Sequence, residues 1–233
     1  MADAIRIGDP AIEVALRRNA RARRMVLRVA ASGRGATLTL PPGIALAHAA
    51  AFLNDHEGWI RRNVAAVPAR DHVGEGSVLP FGDTTLTLQG HAGRASVRDG
   101  NTLLLPGAPA RFGPRAAAWL AEEARRTCVA GVDHHAGRLK LRAGRVRMAD
   151  PRARWGSCTA AGDLMFSWRL IMAPVAVLDY VVAHEVAHLA ELNHSPRFWA
   201  VVRQLCPDYE PARDWLRRNG AALHRHDFSP ALP

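Results

Sequence analysis

The chain has 233 residues, of which 48% are hydrophobic and 22% are charged, a composition typical of soluble globular proteins with one large domain or two small ones. The first ten residues contain no apolar segment of the signal-peptide type, and the three cysteines show no CxxC spacing. We therefore expect a cytoplasmic protein with free thiols and without a disulfide framework or a cysteine zinc site. The formal net charge is +10, and Lys140 is the only lysine. Such an arginine excess suits contacts with polyanions, but it is equally consistent with a bias in genome base composition.

The first 108 residues are predicted to form a β-rich N-terminal region. Residues 25–29 and 36–40 are short β-favouring runs separated by Ser32–Gly35, which is a hairpin pattern. From Leu46 to Val64 apolar residues recur near helical spacing, so one helix is expected there. Further strands are predicted at residues 77–81, 84–89, 95–98 and 102–105. A linker at Pro106–Pro109 ends the region.

Residues 109–233 are predicted to alternate helices and strands. A helix is expected at 115–132, a strand at 145–149, a strand-turn-strand unit at 154–167, a helix from Pro174 to Glu191, and another helix from Pro196. The longest apolar stretch, Leu170–Leu192, contains acidic residues and histidines that a bilayer core disfavours. It therefore indicates a buried helix and no membrane span.

Two histidines and a glutamate form an HExxH motif on the predicted helix 174–191. His184 and His188 are four residues apart, so both imidazoles project from one face and can reach the same metal ion. Glu185 lies one residue round from that face. In this arrangement the glutamate does not bind the metal but accepts a proton from metal-bound water.

His194 is the candidate for the third ligand. A catalytic zinc usually takes three protein ligands and keeps one position open for water. His194 follows Asn193, which suits the end of a helix, and it precedes Ser195-Pro196, which suits the start of another. A turn between two helices can direct His194 towards the metal, so the sequence predicts a Zn²⁺ site of His184, His188 and His194 with Glu185 as general base.

The chain resembles the YgjP-like metallopeptidase family, which is related to the SprT-like and WLM groups of zincins. The resemblance covers most of the chain and rests on Arg154–Cys158, Trp168–Leu170 followed by Pro174, Leu178–Val182, Asn193–Pro196, Phe198-Trp199, and in the N-terminal half Arg21–Val29 and Trp59–Arg62. It implies an α+β fold in which a zincin-like domain, with the HExxH helix beside a small sheet, follows the β-rich region. It also implies the same three zinc ligands and the same catalytic glutamate.

One departure from the family is visible, and an affiliation with metzincins is not supported. The RWGSC segment is Arg154–Cys158. Near the end of the strand that follows it the family often has Asn, where this chain has Ser167, so no role is expected for that position. The spacing of the third ligand also matches metzincins, but Glu191 replaces the glycine of their motif.

The leading functional hypothesis is a cytoplasmic zinc peptidase that acts on a protein or peptide. Arg154 and Tyr180 are candidate donors to the developing oxyanion. Zincins of this kind bind an extended substrate along a strand edge, for which the hairpin 154–167 is the candidate.

Three alternatives stay open. The first is a metal-dependent hydrolase of nucleotide phosphoanhydrides, and the second is a DNA-associated protease of the SprT-like type. The third is a non-enzymatic nucleic-acid-binding module with structural zinc. Glu185 argues against this alternative, because a purely structural zinc site needs no general base. A basic cluster could bind nucleic acid or an acidic partner, although a solvated charged face is the favoured explanation: Arg17, Arg18, Arg21, Arg23, Arg24 and Arg28.

Overall fold

A computed structural model describes residues 4–29, 35–66 and 71–230, and over these ranges the protein combines six α-helices with small β-sheets. Contacts divide the chain into two compact units, residues 1–70 and 71–233. The sequence had suggested a division after residue 108. The two divisions differ because the strands between residues 78 and 106 share one hydrophobic core with the helix that follows them, through residues such as Leu86, Leu103 and Phe112.

The first unit contains a four-stranded sheet in the order β1-β2-β4-β3, formed by β1 (Ala4–Ile7), β2 (Ile12–Arg18), β3 (Val26–Val29) and β4 (Ala36–Leu40). The predicted hairpin is confirmed in β3 and β4, which pair antiparallel, while residues 30–34 of its turn lie outside the described residues. Strands β1 and β2 were not predicted. Strand β2 pairs in parallel with β4, and a local sequence pattern does not report such a distant partner.

The helix predicted at residues 46–64 is two helices, α1 (Leu46–Asp55) and α2 (Glu57–Ala66). The chain leaves helical geometry at His56, where φ is −105° and ψ is 9°. The Nδ1 atom of His56 lies 2.8 Å from the carbonyl oxygen of Phe52, so the ring binds the end of α1. Leu53 and Ile60 are both buried in the same core as the sheet.

The second unit begins with β5 (Asp71–His72) and a four-stranded sheet in the order β6-β7-β9-β8, formed by β6 (Val78–Phe81), β7 (Thr84–His91), β8 (Val97–Asp99) and β9 (Thr102–Pro106). The predicted strands of this region are confirmed. Gly82 joins β6 to β7 with a φ of +57°, which favours glycine.

The long helix α3 (Phe112–Leu139) follows, and then a three-stranded sheet in the order β10-β12-β11 is formed by β10 (Val146–Ala149), β11 (Gly156–Cys158) and β12 (Leu164–Ser167). The remaining elements are α4 (Val175–Ala187), α5 (Pro196–Leu205), α6 (Tyr209–Leu223) and β13 (His226–Asp227), which pairs with β5. Strand β11 pairs antiparallel with β12 and stands at the edge of its sheet. This is the expected α+β arrangement, with the HExxH helix α4 in contact with β11.

Two boundaries in this region differ from the prediction. Helix α4 ends at Ala187 instead of Glu191, so His188 is its C-cap, and Pro174 is its N-cap instead of its first residue. Helix α6 was not predicted. Helix α5 begins as expected, with the Ser195 hydroxyl accepting a hydrogen bond from the Phe198 amide at 3.4 Å. None of the described helices has the length and apolarity needed to cross a bilayer.

Arg169 connects several elements of the second unit. Its guanidinium is 7% exposed and donates to both carboxylate oxygens of Asp150, at 2.7 and 3.0 Å. It also donates to the backbone carbonyls of Leu223 and His226, at 3.0 and 3.1 Å. One side chain therefore ties the end of β10 to the C-terminal end of α6 and to β13.

Replacing Arg169 is expected to destabilise the protein. Arg169→Met leaves two carbonyl oxygens without their donor, so the free energy of unfolding should fall by about 2 to 3 kcal/mol, measured by urea denaturation. Arg147→Met is the matched control, because Arg147 is an exposed arginine on β10, and its loss should change the stability by less than about 0.5 kcal/mol. Equal effects of the two substitutions would contradict this role of Arg169.

Candidate active site

Helix α4 is fixed against α3 on the sides that do not carry the motif. Gly131 of α3 allows close approach, since a Cβ atom there would lie 3.2 Å from Cγ1 of Val182. The buried His135 ring bonds through Nε2 to Oδ1 of Asp179 at 2.8 Å. Val182 and Val186 are fully buried. The last turn of α4 is thereby left to present its histidines and glutamate to β11 and α5.

The structure brings together all three predicted histidines. His184 lies in the last turn of α4, His188 is the C-cap, and His194 lies in the turn before α5. Their ring centroids are 5.2, 5.1 and 5.0 Å apart. One ligand nitrogen from each ring lies within 4.8 Å of those of the other two, a spacing at which one metal ion can be bound.

The ring nitrogens are arranged for metal binding. The Nδ1 atom of His188 lies 3.0 Å from the carbonyl oxygen of Glu191, so Nδ1–H donates there and Nε2 is left as a metal ligand. The Nε2 atoms of His184 and His194 face each other at 3.1 Å. The two atoms therefore point at the same space, and the residues present fit a metal ion.

Burial lowers the pKa of two of the three histidines. The pKa of His184 is lowered to about 4, mainly because the ring is buried and also because His188, His194 and Arg213 are close. Burial also lowers the pKa of His188. Because only the neutral imidazole binds metal, both shifts favour metal binding near neutral pH.

Phe198 of α5 supports all three rings. Its ring centroid lies 4.9 Å from that of His184, 4.5 Å from that of His188 and 4.7 Å from that of His194, and the side chain is fully buried. The resemblance included Phe198, but nothing in the sequence indicated this packing. Its position four residues after His194, inside an amphipathic helix, is the signal that could have suggested it.

Glu185 lies under the edge strand β11. The residue is 6% exposed, and burial raises the pKa of its carboxyl group to about 7. A Cβ atom on Gly156 of β11 would lie 2.5 Å from both Cγ and Oε1 of Glu185. Only glycine therefore fits where the strand crosses the carboxylate, which explains the glycine of the RWGSC segment.

The other predicted residues have different surroundings. Arg154 is exposed and precedes β11. Tyr180 is buried one turn before His184, with ring centroids 5.9 Å apart, and burial raises the pKa of its hydroxyl to about 12. Ser167 is fully buried at the end of β12, and its Oγ has no hydrogen-bond partner among the residues described. The six arginines between Arg17 and Arg28 are all exposed and lie in the first unit.

Comparison with known proteins gives two results that bear on this site. No curated protein matches the chain at a significant level. The solved structure of the metallopeptidase zymogen abylysin from Pyrococcus abyssi is 21% identical, covering 42% of this chain and 97% of its own, with a TM-score of 0.37. That likeness is too weak to indicate a common mechanism.

A family model gives the decisive match. The model of the YgjP-like metallopeptidase domain matches residues 23–219, which is most of the chain and includes the three histidines and Glu185. The family consists of metal-dependent peptidases, and the histidine cluster is able to hold the metal ion that such an activity requires. The chain therefore belongs to the YgjP-like metallopeptidase family.

Proposed function

We propose that this protein is a zinc-dependent peptidase in which His184, His188 and His194 bind the metal and Glu185 is the general base. The observation that carries the proposal is the convergence of three imidazoles, two of them from the last turn and C-cap of α4, on the helix that also carries the buried carboxylate of Glu185. Peptides or unfolded proteins are the proposed substrates. The cytoplasmic location stays a prediction from the sequence.

Zinc is proposed because of the ligand types. The cluster offers three imidazoles without a thiolate or a carboxylate among its members, a set that suits borderline metals, of which zinc is the usual one in peptidases with this motif. A zinc ion held by these three histidines would supply Lewis acidity, which would make water at the site more acidic and polarise a substrate carbonyl group.

Glu185 has the surroundings of a proton acceptor. Burial alone brings its pKa to about 7, and a cation beside it would favour the ionised form. In the proposed mechanism Oε1 accepts a proton from the attacking water and later gives it to the nitrogen of the leaving amine. The backbone of Gly156 excludes solvent from one side of the carboxylate.

Strand β11 is the proposed guide for the substrate. It is an edge strand, and among the described residues no strand pairs with its other side. An extended peptide can add to that edge through backbone hydrogen bonds, independently of its side chains. Because Gly156 of β11 contacts Glu185, a peptide on this edge would have a backbone carbonyl close to the general base.

The hydrolysis of nucleotide phosphoanhydrides and an action on DNA-bound proteins remain alternatives from the sequence. The described surface of the first unit carries the exposed arginines that either alternative could use. Contact with nucleic acid stays a prediction.

Removing one histidine is expected to release the metal. Loss of a hydrogen bond that supports a metal ligand typically lowers metal affinity by roughly 10- to 100-fold. His188→Ala and His194→Ala should each lower zinc affinity by more than this, because each removes a proposed ligand itself. Competition with a chromogenic zinc chelator and mass spectrometry of bound metal measure the effect. His48→Ala, on the exposed surface of α1, is the control and should bind zinc as the wild type does. Retention of one zinc per chain by both site variants would reject the proposed ligand set.

Glu185→Gln tests the function itself. This variant should keep zinc and lose about 10²- to 10⁴-fold in kcat, because the amide cannot accept the proton. Wild type and variant are assayed on an unfolded protein, on nucleoside triphosphates and on a DNA-bound protein. Glu191→Gln is the matched control, since only the backbone carbonyl of Glu191 supports His188.

The results separate the alternatives. Full activity of Glu185→Gln on every substrate turned over would rule out Glu185 as the general base. Turnover of triphosphates alone would rule out the peptidase and leave the metal site in place.

Gly156→Ala is expected to separate metal binding from catalysis. The added Cβ would lie 2.5 Å from Cγ and Oε1 of Glu185, so either the carboxylate or the strand must move. A displacement of about 1 Å typically costs about 100-fold in rate, and zinc affinity should stay unchanged. Gly137→Ala in α3 is the control, because a Cβ there meets no atom within 4 Å. Equal kcat values for the two variants would contradict the proposed packing of β11 on Glu185.

A further inference from the structure

Arg213 of α6 lies over the ring of Trp199, which also contacts two histidines of the cluster. Its guanidinium carbon is 4.8 Å from the ring centroid of Trp199. Trp199 stacks in turn on His194 at 6.0 Å, and its centroid lies 5.8 Å from that of His184. Only one side chain therefore separates the positive charge of Arg213 from two of the proposed ligands.

The position of Arg213 is held by packing. Tyr209, one turn earlier on α6, stacks on Trp199 at 5.4 Å and on Tyr180 of α4 at 6.0 Å. These two stacks fix the first turn of α6 next to the site. A guanidinium held over a tryptophan ring loses less conformational freedom on binding a ligand than a fully mobile one does.

Arg213 is exposed, and among the described residues it forms neither a hydrogen bond nor a salt bridge. The acidic residues that flank it on α6 face other partners. Glu210 lies 3.8 Å from Arg203, and Asp214 lies 3.4 Å from Arg217. The five donors of Arg213 are therefore free, although α6 carries acidic groups that could have bound them.

Positive charge would outweigh negative charge around the proposed site once a divalent cation were bound. Arg213 lies over the ring of Trp199, which itself stacks on His194. With a divalent cation on three neutral imidazoles, Glu185 would be the one carboxylate among the described site residues to offset these positive charges. A site with this excess of positive potential attracts an anionic ligand.

From this arrangement we propose that Arg213 is a specificity-determining residue that binds a carboxylate of the peptide substrate near the bond to be cleaved. The planar fork of a guanidinium matches the two oxygens of a carboxylate. The carboxylate belongs either to an acidic side chain or to the C-terminus of the peptide, since both present the same group. This inference rests on the proposed peptidase function.

The exposure of Arg213 favours this role over stabilisation of the oxyanion. A donor to the oxyanion acts in a water-excluded position in contact with the reacting carbonyl. Arg213 is solvent-accessible and is separated from the ligands by Trp199. A group on the rim of a site selects substrates by their charge, and its loss raises KM more than it lowers kcat.

The test compares peptides that differ in one carboxylate. In one series Glu is exchanged for Gln at each position around the cleaved bond, and in the other a C-terminal acid is exchanged for an amide. For the wild type, KM should be roughly tenfold lower for the peptide with the recognised carboxylate than for its neutral counterpart. Arg213→Gln should remove that difference in KM, and Arg213→Lys should keep part of it. Arg218→Gln, also exposed on α6, is the matched control and should behave as the wild type. The series that shows the preference identifies the source of the carboxylate.

A binding measurement makes the test independent of turnover. The same labelled peptides are titrated by fluorescence polarisation against zinc-loaded Glu185→Gln and against the double variant Glu185→Gln/Arg213→Gln. Preferential binding of the carboxylate peptides that disappears in the double variant supports the proposal, even if no peptide is cleaved and the proposed function fails. The absence of any carboxylate preference in the wild type overturns the proposal. An equal loss of kcat on acidic and neutral peptides in Arg213→Gln also overturns it. The peptidase function would stand in both cases.

Discussion

Helix α4 can present two histidines and a glutamate in one direction because its other sides are buried against helix α3. The close approach at Gly131 and the bond between His135 and Asp179 fix both the distance and the rotation of α4. The geometry of the site follows from that rotation. Glu185 then lies under β11, and the two histidines meet the turn that carries His194 and the ring of Phe198. The buried face of α4 thus determines the position of each residue of the candidate site.

Burial shifts the pKa values of the two kinds of ionisable group in the site in opposite directions. It lowers the pKa of His184 to about 4 and raises that of Glu185 to about 7, so in both cases it favours the neutral form. For the histidines the neutral form is the one that binds a cation. For Glu185 a bound cation would restore the charge that burial opposes. The environment is therefore suited to a cation and would be costly for a carboxylate without one.

The sequence predicted the parts of the site that depend on local spacing. The i, i+4 histidines and the turn before Ser195-Pro196 were enough to predict that the three histidines lie near one another. The hairpins of both units were confirmed from their alternation and turn residues. The parts that depend on distant contacts were missed. Strand β2 is held by β4, α6 is held by its aromatic contact with α4, and the role of Gly156 appears only when β11 crosses Glu185. The end of α4 was predicted too late in the sequence, because Leu189 packs against the core without continuing the helix.

The contact of Phe198 with all three imidazoles has a consequence for folding. His184 and His188 lie on or at the end of α4, whereas His194 and Phe198 belong to the turn and the helix that follow. A cation shared by the three rings would close the loop between these two helices, and the docking of α5 would then gain part of its free energy from metal binding. The ion would then be a structural crosslink as well as a catalytic cofactor. In its absence the segment from the end of α4 to α5 would lose that contribution to its stability.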